Sequence, residues 1–122
     1  MDEHRARRVS EAVREELSEI VGFELGDPRL EQVDVTDVLV TPDLRNAQVK
    51  VALLGTEVKQ IKALQALDHA RHYLRAELAR RLSLRRVPEL HFSADAAAGA
   101  ENRVETLLRR ARNTRGRSEN PA

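Results

Sequence analysis

Six arginines, Arg71, Arg75, Arg80, Arg81, Arg85 and Arg86, fall within 16 residues, and Glu77 is the sole acidic residue among them. Six cations less one anion give +5, before any contribution from His72. A guanidinium presents its donors in a planar fork that matches phosphate oxygens better than an ammonium does. Cations near a helix C-terminus gain only about 0.3–1 kcal/mol each from its dipole. Dipole stabilisation does not call for six of them, and an anionic partner best offsets their mutual repulsion. Two further basic runs flank the cluster: Arg5, Arg7 and Arg8 near the start, and Arg109, Arg110, Arg112, Arg115 and Arg117 near the end. Separated cations with little acidic interruption suit a phosphate backbone. The competing assignment is a solvated helical face whose arginines pair with the acidic first helix across the core.

Other chemistry has less support. The chain has no cysteine, which excludes thiol catalysis, disulfides and thiolate-bound zinc. It has no Gly-x-Ser-x-Gly, dinucleotide or Walker-type loop, and its five glycines are isolated. No catalytic residue, small-molecule substrate or cofactor is therefore expected. His69 and His72 stand three apart, on one helical face if a helix forms there, but a metal also needs third and fourth ligands. His91 lies on a following strand and His4 close to the chain start, so no metal site is expected. Three aromatics, Phe23, Tyr73 and Phe92, make a poor stacking platform, since both phenylalanines read as core. Recognition should rest on shape and phosphate contacts, which suits a folded RNA better than a free single strand.

These residues need elements to position them. Val9, Val13, Leu17, Ile20 and Val21 follow one face of a 3.6-residue period, which predicts a first helix. Gly22 and Gly26 loosen or end it, and Asp27-Pro28 marks a turn. Residues 33–40 (VDVTDVLV) and the alternating Ala47, Val49, Val51 and Leu53 read as an antiparallel hairpin around Thr41-Pro42-Asp43. Valines at 33, 35, 38 and 40 change phase, which requires either a bulge or partial cover on both faces. Thr56 is the expected N-cap of a helical region running to about Leu84, and nearly 30 residues there predict a bend around Asp68 to Tyr73. Pro88 closes it, and Glu89–Ala94 reads as a third strand with Leu90 and Phe92 inward and His91 outward. From Ala100, Val104, Leu107, Leu108 and Ala111 predict a last helix. Three strands with an apolar face covered by helices make a small α+β domain.

At 122 residues, 41% hydrophobic and 34% charged, the chain has the dimensions of one soluble domain. Residues 1–113 form that domain in this reading, and 114–122 a mobile tail. The net charge of +1 conceals an asymmetry of −6 over residues 1–40 (5 basic, 11 acidic) and +7 over 41–122 (16 basic, 9 acidic). No apolar stretch approaches the roughly 18–20 residues of a membrane span. With no secretory signal pattern at the start and no cysteine, a cytoplasmic location is expected.

Taken together, four stretches resemble the ribosome-binding factor A family. They are RVSEAVREELSEIV at 8–21, DPRL at 27–30, VTDVLVTPDLRNAQVKV at 35–51 and LRRVPELHF at 84–92. Weaker agreement continues in RVETLL at 103–108, so the likeness spans about residues 5–110. It implies a type II KH-like fold, helix-strand-strand-helix-kink-helix-strand. It also implies a non-enzymatic assembly factor that binds the free 30S subunit and its 16S rRNA, assists 5′-end maturation, and is a monomer in isolation. The family writes its interhelical kink Ala-x-Gly; here the matching residues are Ala70, Arg71 and His72, with His72 in place of glycine. On this reading Arg71, His72, Arg75, Arg80, Arg81, Arg85 and Arg86 contact RNA, with Arg5, Arg7 and Arg8 as a secondary set. A general RNA- or DNA-binding module and a protein-interaction domain are the alternatives.

Overall fold

The computed structural model describes residues 3–95. Helix α1 (Glu3–Glu19) buries Ala6, Ser10, Val13 and Leu17, a stripe that continues the predicted face. At Gly22 the helix widens into a π-turn over Ile20–Glu24, closed by Leu25 N–H on the Ile20 carbonyl at 3.0 Å. Gly26 then takes φ +68°, a left-handed conformation that suits glycine. The Asp27 carboxylate accepts from Arg29 N–H at 2.9 Å and caps a short 3-10 turn, Pro28–Leu30.

Strands β1 (Val33–Val40) and β2 (Asn46–Leu53) pair antiparallel, and β3 (Glu89–Ala94) joins β2 in parallel, giving the order β1-β2-β3. The change of valine phase is a bulge. Pairing slips between Val35 and Asp37, and the extra residue, Thr36, has its hydroxyl 3.1 Å from the Lys50 carbonyl and 2.7 Å from the Asp95 carboxylate. The slip keeps Val33, Val35, Val38 and Val40 all on the covered face and turns Leu39 to solvent.

The long helical region is two helices, α2 (Glu57–His69) and α3 (Arg71–Leu82). Thr56 caps α2, its hydroxyl accepting from Lys59 N–H at 3.2 Å. The break is confined to Ala70, at φ −87° and ψ 2°, whose N–H is shared between the Ala66 and Leu67 carbonyls. Among the described non-glycine residues only Leu44 and Ser83 have positive φ, so His72 sits in ordinary helical backbone and carries no penalty for lacking glycine. Helix α3 ends at Leu82, two residues before the expected end, because Ser83 turns left-handed at φ 53°.

The helices cover one face of the sheet. Val13, Leu17 and Ile20 from the first helical segment meet Val49, Val51 and Leu90 from the sheet and Leu67, Leu74 and Leu78 from α2 and α3. Burying each such side chain is worth about 1.5–3 kcal/mol. The predicted last helix, its arginines and the 114–122 tail lie outside the described residues.

Candidate nucleic-acid interface

Four of the six clustered arginines have partners within the domain. Arg81, with a side chain only 20% exposed, meets Glu77 at 3.1 Å, Glu16 of α1 at 3.3 Å, and Glu24 of the π-turn. Its guanidinium is held protonated more firmly than usual, chiefly by the Glu24 hydrogen bond. Glu77 also accepts from Arg80, and that bond is the main reason its carboxyl stays below the ordinary range. Arg75 donates to the carbonyls of Val87 (2.9 Å) and Pro88 (3.2 Å) and lies 3.4 Å from Glu89. Arg71 reaches Asp68 at 3.5 Å. Pairing with the acidic first helix is thus realised at Arg81.

The four differ in what they leave outward. Arg80 is 68% exposed and Arg71 is half-exposed, while Arg75 and Arg81 are committed to the interior of the fold. His72 and His69 are exposed at the helix junction. Among the described residues, no three histidines or carboxylates stand together in a way that could hold a metal ion.

Arg85 and Arg86 are exposed and without an ion pair among the described residues, and so are Arg7, Arg8 and Arg45. The fold brings these to one end. Val40, at the end of β1, donates its N–H to Ser10 Oγ of α1 at 2.9 Å, while that hydroxyl donates to the Ala6 carbonyl at 2.7 Å. The first turns of α1 therefore lie beside the β1–β2 turn. That turn carries Arg45, whose carbonyl accepts from Glu89 N–H at 2.9 Å, where the 83–88 segment enters β3. Arg5 and Arg8 border a shallow groove with Leu82 and Leu84, next to Arg85. His91, facing outward as predicted, is 2.9 Å from the Asn46 side chain on the same flank.

The sequence reading missed Arg45. A single arginine in a Pro-Asp-containing turn has no local signal. Only the parallel β2–β3 register, which sets Asn46 against Glu89, places it beside the later cluster. The resulting surface is a cationic pole built from α1, the hairpin turn and the 83–88 segment, suited to successive phosphates along an RNA ridge.

A family model described as ribosome-binding factor A matches residues 5–108. Over all 122 residues the chain is 60% identical to the ribosome-binding factor A of Solibacter usitatus, covering 99% of that protein. The crystal structure of ribosome-binding factor A from Thermus thermophilus shares 32% identity and superposes with a TM-score of 0.66, over 73% of this chain and 94% of the other. Coordinates of a homology model of the Thermus thermophilus factor, fitted into the cryo-EM map of its complex with the 30S subunit, share 33% identity. They give a TM-score of 0.60 over 81% of this chain and the whole of the other. The shared architecture is KH-like.

Proposed function

The chain belongs to the ribosome-binding factor A family, and from that premise we propose that it is a non-enzymatic assembly factor for the 30S subunit. It binds the immature subunit through 16S rRNA, assists late maturation and 5′-end processing of that RNA, and acts in the cytoplasm as a monomer without a cofactor. The observation that carries the binding mode is the convergence of Arg7, Arg8, Arg45, Arg85 and Arg86, without ion pairs among the described residues, on one end of the sheet. The Thermus thermophilus relative, fitted as a homology model into the map of a 30S complex, supports the choice of particle. No described helix is long and apolar enough to cross a membrane.

Within this proposal the arginines divide by role. Arg85 and Arg86, with Arg7, Arg8 and Arg45, contact phosphates, and Arg5 borders the same groove. Arg71, His72 and Arg80 form a secondary set around and after the Ala70 break, since their outward ends remain accessible. Arg75 and Arg81 act on the fold, which shapes the surface without touching RNA.

Sucrose-gradient sedimentation of the purified chain with 30S subunits, 70S ribosomes and naked RNA tests this reading. Salt-sensitive co-migration with free 30S subunits, lost in a folded Arg45→Ala/Arg85→Ala/Arg86→Ala variant, is the expected result. Equal binding to any RNA would instead favour a general nucleic-acid module. Binding that survives nuclease treatment would favour a protein partner.

A further inference from the structure

We propose that a cleft between the Asp27–Leu30 turn and α2 holds one unstacked nucleotide of RNA, with its base on the Arg29 guanidinium and its phosphate on Lys59 and Lys62. This rests on the rRNA-binding reading but concerns a different surface from the cationic pole. The cleft encloses about 310 Å³, the low end of the roughly 300–1,000 Å³ typical of small-ligand sites. Leu53, which is buried, contributes to its apolar floor, and Arg29, Glu31, Gln32, Lys59 and Lys62 contribute polar groups to its walls.

The state of Arg29 decides the ligand class. Its Nε and Nη2 reach the two Asp27 carboxylate oxygens at 3.2 and 2.8 Å, and Asp27 is itself fixed by the Arg29 N–H. The pair holds the Asp27 carboxyl below its usual range, mainly through the side-chain bond. A guanidinium pinned this way is locally neutralised and planar, and it is still 41% exposed. Such a plane is a stacking surface for a base, and it substitutes for the aromatic platform that the chain lacks.

The anion sites are separate. Lys59 and Lys62 lie one turn apart on α2, so both project from one side. Both are exposed, and neither has an ion pair among the described residues. Gly55 helps to place Lys59: a Cβ at position 55 would stand 3.1 Å from the Lys59 Cδ, so glycine leaves room for the lysine stem. Gln32, in the same wall, offers a side-chain acceptor and donors to a base edge. A base with an exocyclic amino group uses the Gln32 acceptor. An acidic peptide would satisfy the lysines but face Glu31 unfavourably and leave the guanidinium plane without a function.

The test is titration of the ¹⁵N-labelled full chain with the trinucleotide ApApA, with inorganic phosphate, and with an acidic leucine-containing peptide, each followed by NMR. Saturable shifts of the Arg29 Nε–H and the Gln32 side-chain amide with ApApA are expected. Arg29→Lys should weaken ApApA roughly tenfold, about the worth of one stacked base. Lys59→Ala/Lys62→Ala should reduce its salt sensitivity, and Arg85→Ala/Arg86→Ala should leave these shifts in place. Phosphate binding as well as ApApA, the peptide binding better, or no response at Arg29 and Gln32 would each overturn the proposal. Co-sedimentation with 30S subunits is read on the same variants. Loss there with intact cleft shifts in wild type indicts the pole alone, whereas intact co-sedimentation without cleft shifts indicts the cleft alone.

Discussion

Arg75, on α3, donates to the main-chain carbonyl of Val87 at 2.9 Å and so braces the 83–88 segment, which carries Arg85 and Arg86. Its second bond, to the carbonyl of the fully buried Pro88, fixes the entry into β3. Arg75→Ala leaves two carbonyls without their donor, one of them in the buried interior. It should cost about 1–3 kcal/mol in urea denaturation. Binding to 30S subunits should also weaken, because a looser segment must be ordered on docking.

Arg81 and Arg85 should separate cleanly by their salt response. Each phosphate contact removed lowers the slope of log K against log salt by about 0.7–0.9. With one phosphate for each arginine, Arg85→Ala/Arg86→Ala should therefore flatten the slope by roughly 1.4–1.8 at unchanged stability. Arg81→Ala should lower the melting temperature, since Glu16, Glu24 and Glu77 then face one another without their shared cation. Its slope should stay that of the wild type.

Acid should destabilise the domain through specific carboxylates. Glu77 is lowered from a usual 4.5 mainly by its Arg80 bond, Glu11 from 4.5 mainly by Arg14, and Asp27 from 3.8 mainly by Arg29. A group depressed in the folded state contributes stability that is fully present above its unfolded value and is lost as pH falls through the folded one. Urea midpoints should thus be flat above about pH 5.5 and decline from the usual carboxylate range downward. Added salt should shrink the part due to Glu11 and Asp27, whose pairs with Arg14 and Arg29 are the more exposed. Glu77→Gln should remove part of the decline.

Ser83 ends α3 in left-handed backbone, where a Cβ is unfavourable. Ser83→Gly should stabilise by up to about 1 kcal/mol, read as a higher urea midpoint, with co-sedimentation retained.

Much of this architecture was written locally. The stripe of α1, the Thr56 cap and the Glu89–Ala94 strand each follow from spacing within one segment, and the structure reproduces them. The valine phase change signalled the disturbance at Thr36 but left its nature open, because Lys50 and Asp95, which meet the Thr36 hydroxyl, are distant in sequence. The helix bend needed no glycine or proline, so only the length of the pattern announced it. The basic cluster was harder to read. Arg81 and Glu16 are 65 residues apart, and nothing in the run from Arg71 to Arg86 tells a guanidinium turned inward to carboxylates from one left in solvent. Arg45 shows the converse, a residue ordinary in its own segment and placed only by strand order.

The same strand order governs when the surface exists. Arg7 and Arg8 come near the beginning of the chain, Arg45 before its middle, and Arg85 and Arg86 just ahead of β3, the last described strand. Until that strand closes onto β2, the Arg45 carbonyl lacks its Glu89 donor and the three sources of charge are not assembled. In a nascent chain the cationic pole therefore cannot assemble before residue 89 has left the peptide exit tunnel and β3 has paired with β2.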